Sequence, residues 1–367
     1  MRRMADDFVP GLRLAGDLYR EVVGPALSDA VPHLVHTAAL IGPGSEVVGF
    51  DTVRSTDHDW GPRLQVFLSG HDAERHADAV ADLLTGRLPA TFRGYPTNLE
   101  PVGADGTRHM RASAGRPHHA VAITGLGDWL TGHLGFDPRS DTTLFDWLAT
   151  PAQVLADTTG GAVFHDGLGD LGAVRRRLSW YPDDVWRYVL ACQWQRISQE
   201  EAFVGRCGEV GDECGSAVAA ARVVRDLMRL CLLMARRYPP YGKWLGSAFA
   251  RLPCAPALAP LLTAATAAAS WRDREHHLAA AYERVAAAHN ALGLTPDLNP
   301  RTRPYHARPF RVLHAERFAQ ALLETVADGA VRALPPTGSI DQYTDSADVL
   351  CRPERRRAVA AGLYRGA

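Results

Sequence analysis

Asp57 and Asp59, separated by the single residue His58, stand immediately before a strand-like run. The pair Gly44-Ser45 precedes them by about a dozen residues. On an extended backbone, side chains alternate with period two, so the two carboxylates are expected to share a face while His58 turns away from it. Two carboxylates on one face suit a pair of hard cations. Magnesium takes oxygen ligands and completes its shell with water and substrate phosphates, so paired aspartates fit a nucleotide site better than a closed metal cage. A glycine lets the backbone approach a phosphate, and Ser45 offers a hydroxyl and an N–H at the start of a turn or short helix. Together these residue types point to chemistry on a nucleoside triphosphate.

The segment from Ile41 to Leu68, IGPGSEVVGFDTVRSTDHDWGPRLQVFL, resembles the signature of the polymerase β nucleotidyltransferase superfamily, a Gly-Ser pair followed by Asp-x-Asp or Asp-x-Glu. It is similar to aminoglycoside and lincosamide nucleotidyltransferases. The match is closer to the actinobacterial domain of unknown function 4037 family. The resembling segments are GSEVVGFD, STDHDWGPR, FRGYP, LGFDP, FHDGLG, WYPDDVW, YGKWLGSAF and SIDQYTDSADVL, which span nearly the whole chain.

The superfamily resemblance implies that Asp57 and Asp59 bind two Mg2+ ions and that Gly44 and Ser45 contact the terminal phosphates of ATP or another nucleoside triphosphate. An acceptor hydroxyl would attack the α-phosphorus and release pyrophosphate. The expected function is therefore metal-dependent transfer of a nucleoside monophosphate, AMP first, to a hydroxyl of a small molecule. Superfamily members carry a third carboxylate on a later strand, and here that position holds Ala122. Glu100 and Asp128 are the nearest acids in sequence. The loss motivates an alternative, a catalytically reduced nucleotide- or metabolite-binding protein of the same fold. Nucleotidylation of a protein or tRNA is a further alternative.

The elements that must position these residues read as an α+β fold. Near-helical apolar spacing predicts a helix over Gly11 to Ala30. Strands are expected at His33 to Ile41, Arg63 to Leu68 and Pro117 to Thr124, with a helix from Asp72 to Leu88. This mixed-sheet nucleotidyltransferase domain is expected to cover residues 1–149. Helical periodicity then takes over, and residues 150–367 are expected to form an all-helical domain that closes a cleft on the first. Its main helices are read over Asp183 to Val204, Ser216 to Arg237, Trp271 to Leu292 and His314 to Ala327. Leu252 to Ser270 reads as a loop leading into a small-residue helix.

In the first of those helices Trp186, Leu190, Trp194, Ile197 and Glu201 fall on one stripe. A carboxylate that extends an apolar face is desolvated, which raises its pKa and makes Glu201 a candidate general base. The alternative is a buried acid paired with Arg225 or Arg229 on the next helix. Lys243, between aromatic and glycine residues in YGKWLGSAF, is a candidate phosphate ligand. The series Arg222, Arg225, Arg229 and Arg236 reads as a solvated face or a set of ion pairs. Neither His118-His119 nor His276-His277 has the spacing of a zinc site. The tail from Gly338 to Leu350, with Asp341, Asp345 and Asp348, lacks the ligand set of a calcium loop and reads as a polar cap on the helical domain.

Bulk properties narrow the partners. The chain has 367 residues and a net charge of −1, from 40 Lys plus Arg against 41 Asp plus Glu, so no global field attracts nucleic acid or anionic lipid. Neither a nucleic-acid nor a membrane partner is expected. Six cysteines lie in the second half without a CxxC pair, which argues against a zinc module or disulfide framework. The acidic turn and Pro10 of MRRMADDFVPG do not read as a secretory signal. A cytoplasmic location is the expectation.

Overall fold

The computed structural model describes residues 8–102, 107–113 and 118–364. Most of the N-terminal segment weighed as a signal, and Pro117 at the start of the third expected strand, lie outside these residues. The chain divides into two compact units, one formed by the residues up to Thr142 together with Val154–Ser179, the other by Thr143–Gln153 and the residues from Trp180 onward. Ala149, where the sequence reading ends the first domain, therefore falls inside the second unit.

The first unit is built on a four-stranded sheet: β1 (Thr37–Leu40), β2 (Arg63–Leu68), β3 (Ala120–Gly125) and β4 (Ala162–Asp166), in the spatial order β3-β2-β1-β4. β1 runs antiparallel to both β2 and β4, whereas β2 and β3 are parallel. The sheet is thus mixed. β4 lies beyond the boundary drawn from sequence. Its short run AVFHD follows Gly160-Gly161 and leads into a glycine-rich turn, leaving little strand signal, and only pairing with β1 makes it an edge strand.

One face of the sheet presents Ala38 and Leu40 of β1, Leu64, Val66 and Leu68 of β2 and Val121 of β3 to a common core. Leu14, Leu18 and Leu27 of the N-terminal helical segment, and Val80 and Leu84 of the helix Gly70–Arg87, close that core. Burial of each such leucine contributes about 1.5–3 kcal/mol. The N-terminal segment is helical over Gly11–Leu18 and Gly24–Ala30 with a π turn at Tyr19–Val23 between them. Pro25 has no N–H to donate to the carbonyl of Glu21, which accounts for the widened turn before it. Ser69 caps the helix after β2 by accepting the N–H of Asp72 at 3.1 Å.

Strand register places Thr37, Ala39, Gln65, Phe67 and Ala122 on the opposite face. There Phe67 meets Trp129 of the helix Leu126–Leu134 edge-on, with ring centroids 5.6 Å apart. Between the helix after β2 and β3 lie two short hairpins, Thr91–Phe92 with Tyr95–Pro96 and Leu99–Pro101 with Arg108–Met110.

The second unit is predominantly helical. Its long helices are Asp183–Glu200, Glu213–Met234 and Trp271–Asn290, joined by the shorter Glu316–Glu324. Trp186, Leu190, Trp194 and Ile197 are all buried, so the stripe read from sequence is the packing face. Trp194 stacks on Phe318 at 4.6 Å between centroids, and its indole N–H donates to His289 Nδ1 at 3.1 Å. The run after Leu252 forms a helix over Ala255–Ala267 with Pro260 inside it. Pro260 is exposed, so water can satisfy the carbonyl that its missing N–H leaves unpaired. Among the described residues, no helix is long and apolar enough to cross a membrane.

Candidate functional site

Antiparallel pairing of Ala39 with Gln65 brings the end of β1 and the start of β2 to one end of the sheet. The segment holding Gly44-Ser45 leaves that end, and the segment holding Asp57 and Asp59 enters it. Gln65 ties the two together, since its side-chain amide both accepts the N–H of Ile41 at 3.2 Å and donates to the Ile41 carbonyl at 2.9 Å. The chain then turns through Gly42, whose φ of 84° lies in the left-handed region open to glycine. Consecutive tight turns follow, with Val47 N–H donating to Gly44 O at 3.2 Å and Phe50 N–H to Ser45 O at 2.8 Å.

Arg63, the first residue of β2, packs into this turn. Its Nε donates to Glu46 Oε1 at 2.8 Å and its Nη2 to the Pro43 carbonyl at 2.8 Å. Glu46 is buried, and a side chain at position 44 would collide with the Arg63 guanidinium and the Glu46 carboxylate. A larger residue at 44 would therefore have to displace the ends of this ion pair. Nearby, Asp51 Oδ2 accepts the N–H of Gly11 at 2.7 Å and the indole N–H of Trp60 at 3.3 Å, fixing the start of the first helix beside the turn. Sequence reading missed Glu46, Asp51 and Arg63. A complementary pair of charges flanking the Gly-Ser and Asp-x-Asp elements was the available signal.

The Asp-His-Asp run is not the extended segment expected. Asp57 ends a 3₁₀ turn, Val53–Asp57, that is closed by a reciprocal Thr52–Ser55 cap. His58 alone is extended, and Asp59 has φ of 49°. The acids consequently do not share a face through strand pleating. Nor does His58 turn away: its Nδ1 lies 2.9 Å from Asp57 Oδ1, and its backbone N–H donates to the same oxygen at 3.0 Å. Asp59 Oδ1 accepts the N–H of Arg108 at 3.0 Å, while its own N–H donates to the Arg108 carbonyl at 2.8 Å. Both aspartates are exposed. Among the described residues their hydrogen bonds fall on Oδ1 rather than on Oδ2.

Ala122 pairs with Gln65 across β3 and β2, on the face away from the core. No carboxylate replaces it on that strand. Glu100 lies in a hairpin, where its Oε1 accepts from Asn98 Nδ2 at 2.9 Å, and Asp128 lies in the first turn of Leu126–Leu134. Among the described residues, no group of three or more histidine, cysteine, aspartate or glutamate side chains is arranged to hold a metal.

The other candidates belong to the helical unit. Glu201 is 5% exposed, and its two oxygens accept the backbone N–H groups of Leu313 at 2.6 Å and Ala315 at 2.9 Å. Burial pushes its pKa up to about 7 against the opposing pull of those N–H groups. A cavity of about 10 Å³ beside it is lined also by Glu275, Tyr282 and Arg311, with room for about one water. The arginine pairing anticipated for Glu201 is absent: Arg229 bonds Asp341 at 2.8 Å, and Arg225 faces Asp345 at 3.9 Å. Arg222 and Arg236 pair with Glu200 and Asp183, so the arginine series is a set of ion pairs. Lys243 is exposed in the helix Gly242–Ala250, its Nζ 4.9 Å from the Trp244 ring centroid. The tail is not a polar cap throughout, because Asp341 and Gln342 are buried, and Gln342 bonds Gln193 at 3.0 Å.

Residues 147–245 match the family described as Domain of unknown function (DUF4037). A relative from Corynebacterium efficiens, described as hydroxyethylthiazole kinase, is 31% identical over 146 residues, which cover 36% of this chain and 52% of the relative. The chain thus spans about half the length of that relative. No solved structure gives a significant match.

Proposed function

We propose that the first unit binds a nucleoside triphosphate at the end of the sheet where Gly44-Ser45 and Asp57-His58-Asp59 meet, and transfers its nucleoside monophosphate to a hydroxyl of a small molecule. The observation that carries this reading is the convergence of the two segments through the β1–β2 pairing and the Gln65–Ile41 bonds. Their resemblance to the polymerase β signature supplies the chemistry, and the α+β fold with its mixed sheet is compatible with it.

The donor set fits magnesium as a half-site. Asp57 and Asp59 would hold the ions through Oδ2, with water and phosphate oxygens completing the shells. The ions would offset charge on the entering and leaving oxygens. Ser45 would contribute its hydroxyl to the terminal phosphates, and the Arg63–Glu46 ion pair would hold the turn that carries it. In the transfer, the acceptor oxygen forms a bond to the α-phosphorus, pyrophosphate leaves, and the hydroxyl proton passes to a carboxylate at the site. Glu201 is left out of this role, because both of its oxygens already hold backbone N–H groups within the helical unit. Lys243 belongs to the helical unit and is left out of this reading.

Ala122 favours a second reading, a protein that retains the nucleotide without turning it over. Titration calorimetry with ATP, GTP, CTP and UTP in magnesium, on the parent and on Asp57→Ala/Asp59→Ala, tests the site. Binding by the parent that is lost in the double variant supports it, and absence of triphosphate binding by the parent overturns both readings. Product analysis then separates them. Pyrophosphate release with a hydroxylated acceptor marks nucleotidyl transfer, ADP release marks the kinase chemistry that the relative's name suggests, and a bound, intact triphosphate marks the retained-ligand reading.

A further inference from the structure

A cluster of titratable side chains that the nucleotide reading does not use stands at the far end of β1 from the Gly44-Ser45 turn. His36 immediately precedes β1, and His165 lies on β4. His165 pairs with Ala38, and Gly167 N–H donates to His36 O at 3.0 Å, so the two histidines are diagonal neighbours across the strands. Their ring centroids are 4.8 Å apart. Tyr19 reaches both from the N-terminal helical segment. Its hydroxyl lies 3.0 Å from His36 Nε2, and its ring stacks on that of His165 with centroids 6.1 Å apart. Tyr19 is also the first residue of the π turn, a widening of the helix that recurs at functional positions.

The protonation state of His36 follows from its partners. Its Nδ1 lies 3.3 Å from the Leu34 carbonyl, which can only accept, so Nδ1 carries the proton. In the neutral ring Nε2 is then a bare acceptor, and the Tyr19 hydroxyl donates to it. A second proton on His36 takes that acceptor away and leaves an imidazolium beside the ring of His165. We propose that Tyr19, His36 and His165 form an acid-sensitive latch, which holds the N-terminal helical segment on the β1–β4 edge and loosens when both imidazoles are protonated. Among the described residues the titratable groups in contact with His36 are Tyr19 and His165. His33, earlier on the same segment, is exposed. Asp166 is engaged elsewhere, accepting from Thr37 Oγ1 at 2.8 Å and from the N–H groups of Gly169 at 3.1 Å and Gly172 at 3.0 Å. On the N-terminal segment Asp17 pairs with Arg20 at 2.5 Å, and Glu21 pairs with Arg93. Among the described residues no carboxylate is paired with either imidazole, so the two positive charges would face each other without a counter-ion. Burial, opposed by the bond to Leu34 and reinforced by His165, holds the pKa of half-buried His36 below its ordinary 6.5. The latch is therefore intact above pH 6.5 and is lost as pH falls through the lowered value.

Hydrogen–deuterium exchange of the full chain, read by mass spectrometry and corrected for the intrinsic pH dependence of amide exchange, tests the latch between about pH 8 and about pH 5, where histidine changes charge. Protection over Tyr19–Gly24 should fall at least about tenfold across that range, the factor that one unit of pKa corresponds to. The start of the segment, where Gly11 N–H donates to Asp51 at 2.7 Å, and the helix Gly70–Arg87 should keep their protection. Tyr19→Phe keeps the ring and removes the donor, so the same peptides should exchange fast at both ends of the range. His165→Gln removes the second charge from an exposed position, and the loss of protection should shrink. Unchanged protection over Tyr19–Gly24 in the parent would overturn the proposal, whatever the variants do. So would an equal loss in the parent and in His165→Gln, or a loss spread evenly over the first unit, which is acid unfolding and not the opening of a latch.

Discussion

Two sets of acids, one on an exposed turn of the sheet unit and one buried in the helical unit, are used in opposite ways. In the sheet unit Asp57 and Asp59 sit on an exposed turn and bond groups near in sequence or on an adjoining hairpin, through one oxygen each. In the helical unit Asp341, Asp226 and Glu201 are buried, and each is bonded to groups far away along the chain. Asp341 accepts from Arg229 at 2.8 Å, from Ser339 Oγ at 3.0 Å and from the N–H of Ala152 at 3.3 Å. An acid whose oxygens are consumed by the fold is an architectural element. An exposed acid bonded through one oxygen is available to a ligand.

Removing a partner from the buried set should give the largest effect. Arg229→Met leaves the Asp341 charge buried with only a hydroxyl and an N–H, and about 3–5 kcal/mol of stability should be lost in urea unfolding. Arg229→Met with Asp341→Leu should lose less than the single change, because no charge is then stranded. A single variant within about 1 kcal/mol of the parent would break the contrast, since surface pairs are worth that little.

Glu201 and His289 sharpen it through pH. Glu201 titrates at about 7 when folded against an ordinary 4.5, so across that window the folded chain holds a proton that the unfolded chain has released. Stability from this group is present below pH 4.5 and falls as pH rises toward 7, by up to about 1.4 kcal/mol per unit. Burial lowers His289 to about 4 from 6.5, so its contribution is present above 6.5 and is lost as pH falls toward 4. Between pH 4.5 and 6.5 the two slopes oppose each other. Glu201→Gln removes the falling one, and stability followed by urea unfolding should then rise with pH across that window while the parent stays flatter. Equal slopes in parent and variant would show that Glu201 ionises normally.

This contrast also explains what was legible in the sequence. Helical periodicity located Asp183–Glu200, Glu213–Met234 and Trp271–Asn290 to within a few residues, because each buries one stripe along its length. The first strands and the helix after β2 were legible for the same reason. β4 was not, since five residues between glycine turns carry no period and its pairing with β1 is a long-range event. At the candidate site, the proximity of Gly44-Ser45 to Asp57-Asp59 was readable from their places around two strands. The conformation of the run was not, because reading Asp-x-Asp as extended ignored the Thr52–Ser55 cap that winds Val53–Asp57 into a 3₁₀ turn. Partners more than a hundred residues away, such as Leu313 for Glu201, leave no local pattern at all.

The smallest effect on stability is expected where the largest effect on ligand binding is proposed. Asp57→Asn keeps an oxygen that can accept the His58 N–H, so the cap and the 3₁₀ turn should persist. The side chain is exposed and bonds only His58 among the described residues, so urea unfolding should move by no more than about 0.5 kcal/mol. The substitution nevertheless removes the negative charge that would hold a hard cation, and magnesium-dependent triphosphate binding should weaken at least about tenfold, a difference of about 1.4 kcal/mol. If unfolding shifts and binding does not, Asp57 is a turn clamp, and the division between architectural acids and available ones fails at the residue on which it rests most heavily.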